Sequence, residues 1–341
     1  MKRYFLFLIL LLLAISCQPK HAEKTKTTSH FDKRTNLNNY LKTKQKAIKW
    51  INELQLDLPA IQSKKLGEKK FLAEYIGFYW KRYKNETDTL IKKEIRTQLT
   101  PYYQYTLSRA YHNMQNLDDK LFKKNSMSYL RVMWLFRELG FDITSYRQEV
   151  LKIKPLLDAQ LGVRGNWQKE VFKDYYHIFN LKMPSSLINT HFNNGIITQE
   201  LPLEKYNLHK VYNFTHFIFA GFEYGNKTEA SRFNKTELHY IEQILPQLAK
   251  RYRTDKPNID ILGELVTCMI FLGYTDTPEF KKSYRYLLEH QNPDGSWGAY
   301  EKARKKIGND IDFRAYLHTT LVVFEALEEY NTGAFLGSKK G

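Results

Sequence analysis

From residue 37 to residue 330 apolar side chains return every three or four positions, and no alternating run of useful strand length interrupts them. A chain patterned this way buries helix stripes against other helices, so the fold class is all-α. Phe71, Tyr75, Phe78 and Tyr79 stand at i, i+4, i+7 and i+8. Phe280, Tyr284, Leu287 and Leu288 repeat that spacing, and Leu317, Leu321, Phe324 and Leu327 form a third face. Further helices are expected from about residue 37 to 51 and over 129–139, 211–222, 236–252 and 259–272. Another is expected over 99–111, opened by Thr100 and Pro101 as cap and first helical residue. The stretch 166–204 is the least regular, with loop signals at Pro184-Ser185-Ser186, Asn193-Asn194-Gly195 and Pro202. Ile196 and Ile197 suit a short strand or simple packing.

The N-terminus reads as an address. Lys2 and Arg3 precede an apolar run from Tyr4 to Ile15, which is of signal length and short for a membrane span. The run closes on Ala14-Ile15-Ser16-Cys17. A small residue directly before Cys resembles a bacterial lipoprotein signal, with Ala14 where that pattern favours Leu. The resemblance implies cleavage after residue 16, a lipidated (palmitate-bearing) Cys17, and sorting by Gln18 to the outer membrane facing the periplasm. A plain secretory signal with an incidental Cys is the alternative. Removal of Lys2 and Arg3 lowers the formal charge from +17 to +15. Such a surface suits anionic lipid or acidic glycans, and export argues against nucleic acid as a partner. Only Cys17 and Cys268 are present, so an acylated Cys17 leaves no intramolecular disulfide. Cys268 sits in an apolar run where a buried thiol is the ordinary outcome.

At 341 residues and 43% hydrophobic, the chain is long enough for one or two domains. The polar stretch 17–36 reads as a flexible tether, followed by helical regions over 37–204 and 205–341. Two segments look alike. Leu139-Gly140-Phe141 leads through a helix to Gly165-Asn166-Trp167, and Leu272-Gly273-Tyr274 leads through a helix to Gly295-Ser296-Trp297. This is the mark of a repeated helical hairpin. Tyr286-Leu287, Gln291, Gly295 and Trp297 also resemble the repeat of squalene/hopene cyclases and related terpenoid cyclases. Leu317-His318-Thr319-Thr320 and Phe324-Glu325-Ala326-Leu327 are similar to inner helices of that superfamily, which includes the protein prenyltransferases. The likeness spans about fifty residues and extends in weaker form to Val211. It implies an α/α toroid-like fold, an incomplete barrel of helical hairpins, in which Gln291 tethers a neighbouring helix and Trp297 packs. It does not name a reaction.

Three sets of residues carry chemistry. Asp260, Glu264 and Cys268 lie on one stripe of one helix, with His216 and His318 on other helices expected to face the same interior. His216, Asp260, Glu264 and His318 are the candidate catalytic group. Asp260, Cys268 and His318 are zinc-ligand types, and His318-Thr319 resembles the prenyltransferase zinc histidine. The Asp and Cys spacing departs from that family. No cofactor is expected; zinc is the one metal these residues suggest. An ion-paired helix face with a satisfied histidine is the bland alternative. The second set, Asp310, Asp312 and Ala315, resembles the acid motif of class II terpenoid cyclases. Phe313 and Arg314 replace its third Asp and its Thr, and a neighbouring Arg favours the ionised acid. The third is glycan chemistry, using Asp260 with Asp312, or His216 with Tyr212 and Arg314. Lys302-Ala303-Arg304-Lys305-Lys306 reads as a solvated basic loop. Phosphate-loop, nucleophile-elbow and His-Glu-x-x-His patterns are absent.

The leading expectation is a lipid-anchored envelope protein that binds a ligand, such as an anionic glycan, or an envelope partner protein. The alternative is an envelope enzyme, a glycan-active hydrolase or lyase or a metal-dependent one. Convergence of His216, Asp260, Glu264 and His318 in one cavity would favour the enzyme, and their dispersal would favour binding alone.

Overall fold

Asp and Asn caps start five of the helices among the described residues. The side chains of Asp88, Asp118, Asn207, Asn234 and Asn258 each accept a main-chain N–H of the first turn, and Thr277 does the same ahead of Pro278. The computed structural model describes residues 33–54, 68–189, 192, 195–298 and 316–333, and residues 34–341 belong to one unit. All regular structure among them is helical. There are twelve α-helices among the described residues: α1 (Lys33–Glu53), α2 (Glu68–Asn85), α3 (Thr89–Thr106), α4 (Asp119–Glu138), α5 (Thr144–Gln160), α6 (Asn166–Ile178), α7 (Ser185–Ile188), α8 (Leu208–Gly221), α9 (Lys235–Lys250), α10 (Ile259–Phe271), α11 (Pro278–Glu289) and α12 (Leu317–Thr332).

The even-numbered helices pack in cyclic order. α2 meets α4, α4 meets α6, α6 meets α8, α8 meets α10, α10 meets α12, and α12 returns to α2. Aromatic pairs weld two of these seams. Phe78 of α2 stacks on Phe324 of α12 with centroids 4.1 Å apart, and Trp80 of α2 lies 5.1 Å from Trp134 of α4. Such pairs add about 0.5–1.5 kcal/mol beyond their burial. Odd-numbered helices pack against these, α3 on α2, α5 on α4, and α9 and α11 on α10. α1 joins α12 through the buried Glu328, which accepts hydrogen bonds from Tyr40 and Lys44.

The repeated segments form the same joint. Gly140 and Gly273 both have positive φ, 78° and 72°. Each donates its N–H three residues back, and Phe141 and Tyr274 donate five residues back, to Phe136 and Met269. Both are Schellman ends, where glycine takes the left-handed position at no steric cost. The two tryptophans then diverge. Trp297 is fully buried and donates its indole N–H to Leu287 O, whereas Trp167 opens α6 and faces a cavity. Gln291 donates to Thr43 O of α1 and to Gly295 O, tying this turn to the first helix.

Two expected boundaries are corrected. The helix expected over 99–111 begins at Thr89, capped by Asp88, and ends at Thr106; Pro101 lies inside it on an exposed face. The irregular stretch 166–204 opens with α6, whose buried Val171, Phe172, Tyr175 and Tyr176 hold it against its neighbours. Beyond α6 only α7 and short 3-10 turns occur among the described residues, and Ile196 and Ile197 are buried as packing residues. The signal stretch, Cys17, the first residues of the tether, the 302–306 basic run and Asp310, Asp312, Arg314 and Ala315 lie outside the described residues.

Candidate functional site

Helix phase brings one stripe each of α2, α4, α6, α8 and α12 to a common cavity. On α4 the stripe runs Lys120, Lys124, Met127, Arg131 and Trp134; on α8 it runs His209, Tyr212, Asn213 and His216. α2 adds Glu74, α6 adds Trp167, Asp174 and Tyr175, and α12 adds His318 and Glu325. These line a cavity of about 1150 Å³, just above the usual size range of small-molecule sites. A recess of about 60 Å³ adjoins it, sharing Arg131, His216, Tyr224, His318 and Glu325 and adding Glu264, Thr267 and Phe271.

Of the four candidate catalytic residues, His216 and His318 line both spaces and Glu264 lines the recess, while Asp260 stands behind them against His318 and Tyr212. His318 Nδ1 is 2.9 Å from Glu74 Oε1, and its Nε2 is 3.7 Å from Asp260 Oδ1. Asp260 accepts a hydrogen bond from the Tyr212 hydroxyl, and Glu264 accepts one from Thr215. His216 Nδ1 is 3.7 Å from Glu264 Oε2. The same Nδ1 donates to Tyr212 O at 2.9 Å. A carbonyl can only accept, so the neutral His216 ring carries its proton on Nδ1 and its lone pair on Nε2. The ring packs against Trp167, with centroids 4.7 Å apart.

The surroundings set opposite charge states on neighbouring groups. Burial opposes charge on His318, yet Glu74 and Asp260 overcome it and raise the imidazole above its ordinary value. Glu74 is likewise buried, and His318 draws its carboxyl below the ordinary range. Burial and the adjacent His318 charge push His216 down to about 4. Burial, with Asp260 adding to it, pushes Glu264 up to about 8. At neutral pH the site therefore holds a neutral imidazole (His216) and a protonated carboxyl (Glu264), beside a His318 whose acidic neighbours favour its charged form. Asp174, buried beside Glu223, is raised to about 6, and burial keeps the Tyr224 phenol protonated far above neutrality.

Cys268 does not join this group. Eight residues along a helix turns about 80° away from the starting side chain, so the stripe through Asp260 and Glu264 continues into Thr267 and Phe271. The Cys268 thiol is fully buried, faces Thr215 O at 3.8 Å, and has its pKa raised by burial and by Glu264. Among the described residues no group of three or more His, Cys, Asp or Glu is placed to hold a metal ion, so Asp260, Cys268 and His318 do not form a zinc set.

Four cavity residues escaped the sequence reading of the site: Glu74, Arg131, Tyr224 and Trp167. Glu74 carried a signal, being the one acid inside the apolar run Phe71-Leu72-Ala73-Glu74-Tyr75-Ile76. An acid in such a run needs a partner, and here it is His318. A family model described as a domain of unknown function (DUF6895) matches residues 188–327. That span includes His216, Tyr224, Asp260, Glu264 and His318, whereas Glu74, Arg131 and Trp167 come from the chain before it. Neither the curated proteins nor the solved structures give a match.

Proposed function

We propose that this protein is an envelope enzyme that performs acid–base chemistry on a glycan held in the cavity. The observation that carries the reading is the convergence of His216, Asp260, Glu264 and His318 on one interior, with neighbouring groups pushed to opposite protonation states. Split pKa values of this kind are how a site keeps a base and an acid ready at one pH. His216 Nε2 is the base. Glu264, neutral in the recess, is the proton donor. Glu74, Asp260 and Tyr212 are positioning residues that hold His318 as a fixed cation. The aromatic wall of Trp80, Trp134, Trp167 and Tyr175 suits the apolar faces of sugar rings, and the volume suits an oligosaccharide.

The architecture that supports this reading is an α/α toroid whose inner wall is α2, α4, α6, α8, α10 and α12. Its support is the cyclic packing order and the return of α12 to α2. The export address rests on the N-terminal pattern ending at Cys17, with a lipid as the anchor. No helix among the described residues is long and apolar enough to cross a membrane.

The test is incubation of the mature protein with a panel of envelope and extracellular polysaccharides, followed by mass spectrometry of released fragments. The reading expects fragments from one glycan class, reduced at least about 100-fold in His216→Ala. Saturable binding without fragments would make the cavity a binding module instead.

A further inference from the structure

Most charges in the cavity floor are spoken for. Glu74 pairs with His318, Asp260 accepts from Tyr212, and Glu325 lies 3.4 Å from Lys81 Nζ. Arg131 is different. It lies on the cavity stripe of α4 and lines both the cavity and the recess. Its guanidinium passes over Gly77 of α2, where an added Cβ would stand 3.5 Å from Nη2 and 3.7 Å from Leu321 of α12. Among the described residues it makes no ion pair and no side-chain hydrogen bond. Five N–H donors are thus left for whatever enters the recess.

Tyr224 faces the same recess from a costly backbone. Glu223, Tyr224 and Gly225 have φ of 47°, 54° and 89°, three successive left-handed residues of which only one is glycine. The turn is pinned at both ends. Arg232 pairs with Glu223 at 3.0 Å, and Lys84 donates to Gly225 O at 2.8 Å. Backbone strain held by outside contacts gathers at functional sites. Here it places Tyr224 on the recess wall. Among the described residues its hydroxyl makes no hydrogen bond.

We propose that Arg131 and Tyr224 form a subsite for an oxyanion of the substrate, a carboxylate or a sulfate ester, in the recess beside His216. The inference rests on the glycan-enzyme reading and narrows its substrate to an acidic glycan. The recess volume of about 60 Å³ equals the share of about two water molecules, room for a carboxylate. A planar guanidinium grips such a group through two parallel bonds. Tyr224 adds a third donor, and His318 lies on the same wall. Glu325 also lines the recess, 3.4 Å from Lys81 Nζ, a cation it shares with the buried Glu329.

The experiment is calorimetric titration of His216→Ala protein, which separates binding from turnover. The probes are a uronic-acid oligosaccharide, its neutral methyl ester, and a sulfated neutral oligosaccharide of the same length. The subsite predicts binding of an acidic probe and at least about tenfold weaker binding of the ester. Adding Arg131→Met, which keeps the aliphatic stem, should weaken the acidic probe by about tenfold or more, since hydrogen bonds to a charged group are being removed. Tyr224→Phe should cost a few-fold, and Arg131→Lys should restore only part of the loss. Preference for the uronate assigns a carboxylate; preference for the sulfated probe assigns a sulfate ester. Equal binding of all three probes, or an unchanged affinity for the acidic probe in Arg131→Met, overturns the subsite and leaves the enzyme reading standing. Failure of all three probes to bind overturns both.

Discussion

His318 has a carboxylate at each ring nitrogen, whereas His216 gives its Nδ1 proton to a main-chain carbonyl and rests its ring on Trp167. On the proposed acid–base reading the two histidines of this cavity do different work, one as a fixed charge and one as a base. Catalysis by His216 and Glu264 predicts a bell-shaped kcat/KM profile. Its acid limb follows His216 at about 4 and its alkaline limb follows Glu264 at about 8. In Glu264→Gln the alkaline limb at about 8 should vanish from the profile, while the acid limb stays. For stability, His318→Ala leaves the buried Glu74 carboxylate with Lys70, 3.4 Å away on the exposed side, as its remaining ion-pair partner. We expect a loss of about 2–3 kcal/mol in urea titrations near neutral pH, below the usual figure for a fully buried pair because His318 is partly open to the cavity. The sign with pH follows from the direction of the shift. A raised histidine stabilises fully below its ordinary pKa, and that contribution fades as pH rises through the raised value. The gap between wild type and His318→Ala should therefore narrow in alkaline solution.

At the scale of elements, the turn from Gln291 to Trp297 shows how a short motif fixes a long-range joint. Gly295 has φ of 98°, and a Cβ there would lie 2.4 Å from Lys46 O of α1. Gly295→Ala thus combines a disfavoured backbone with a clash against main chain. It should cost about 2 kcal/mol or more in thermal or urea unfolding; an unchanged midpoint would remove the turn from the joint. The helical period and the Schellman glycines were plain in the sequence because both are local. α3 was mis-started because Pro101 was weighed as a helix opener. The stronger signal was Asp88, whose side chain accepts from Leu90 N, and exposure lets Pro101 sit inside. α6 was overlooked because loop residues beyond Leu181 coloured the whole stretch, although Val171, Phe172, Tyr175 and Tyr176 already marked a helix face. Turn chemistry twenty residues away carries no information about that face.

For the whole molecule, the cavity draws on helices from α2 to α12, which no sequence spacing can report. The stripe of Asp260 and Glu264 was legible because it lies on one helix; the meeting of Glu74 with His318, 244 residues apart by numbering, was not. α1 is held to α12 by Tyr40 and Lys44 on Glu328. Glu328→Ala should raise hydrogen exchange throughout α1 before α4 or α10 changes, a local opening and not global unfolding. Uniform exchange would mean that α1 is held by apolar packing alone. The account as a whole turns on two histidines in one cavity with opposite protonation, and an NMR titration of isotope-labelled histidine reads this directly. It predicts that His216 stays neutral as the Nδ1–H tautomer down to about pH 4, while His318 stays protonated above the ordinary histidine range. A His216 that titrates near 6.5, about the value of a free histidine, or that carries its proton on Nε2, would contradict the acid–base site.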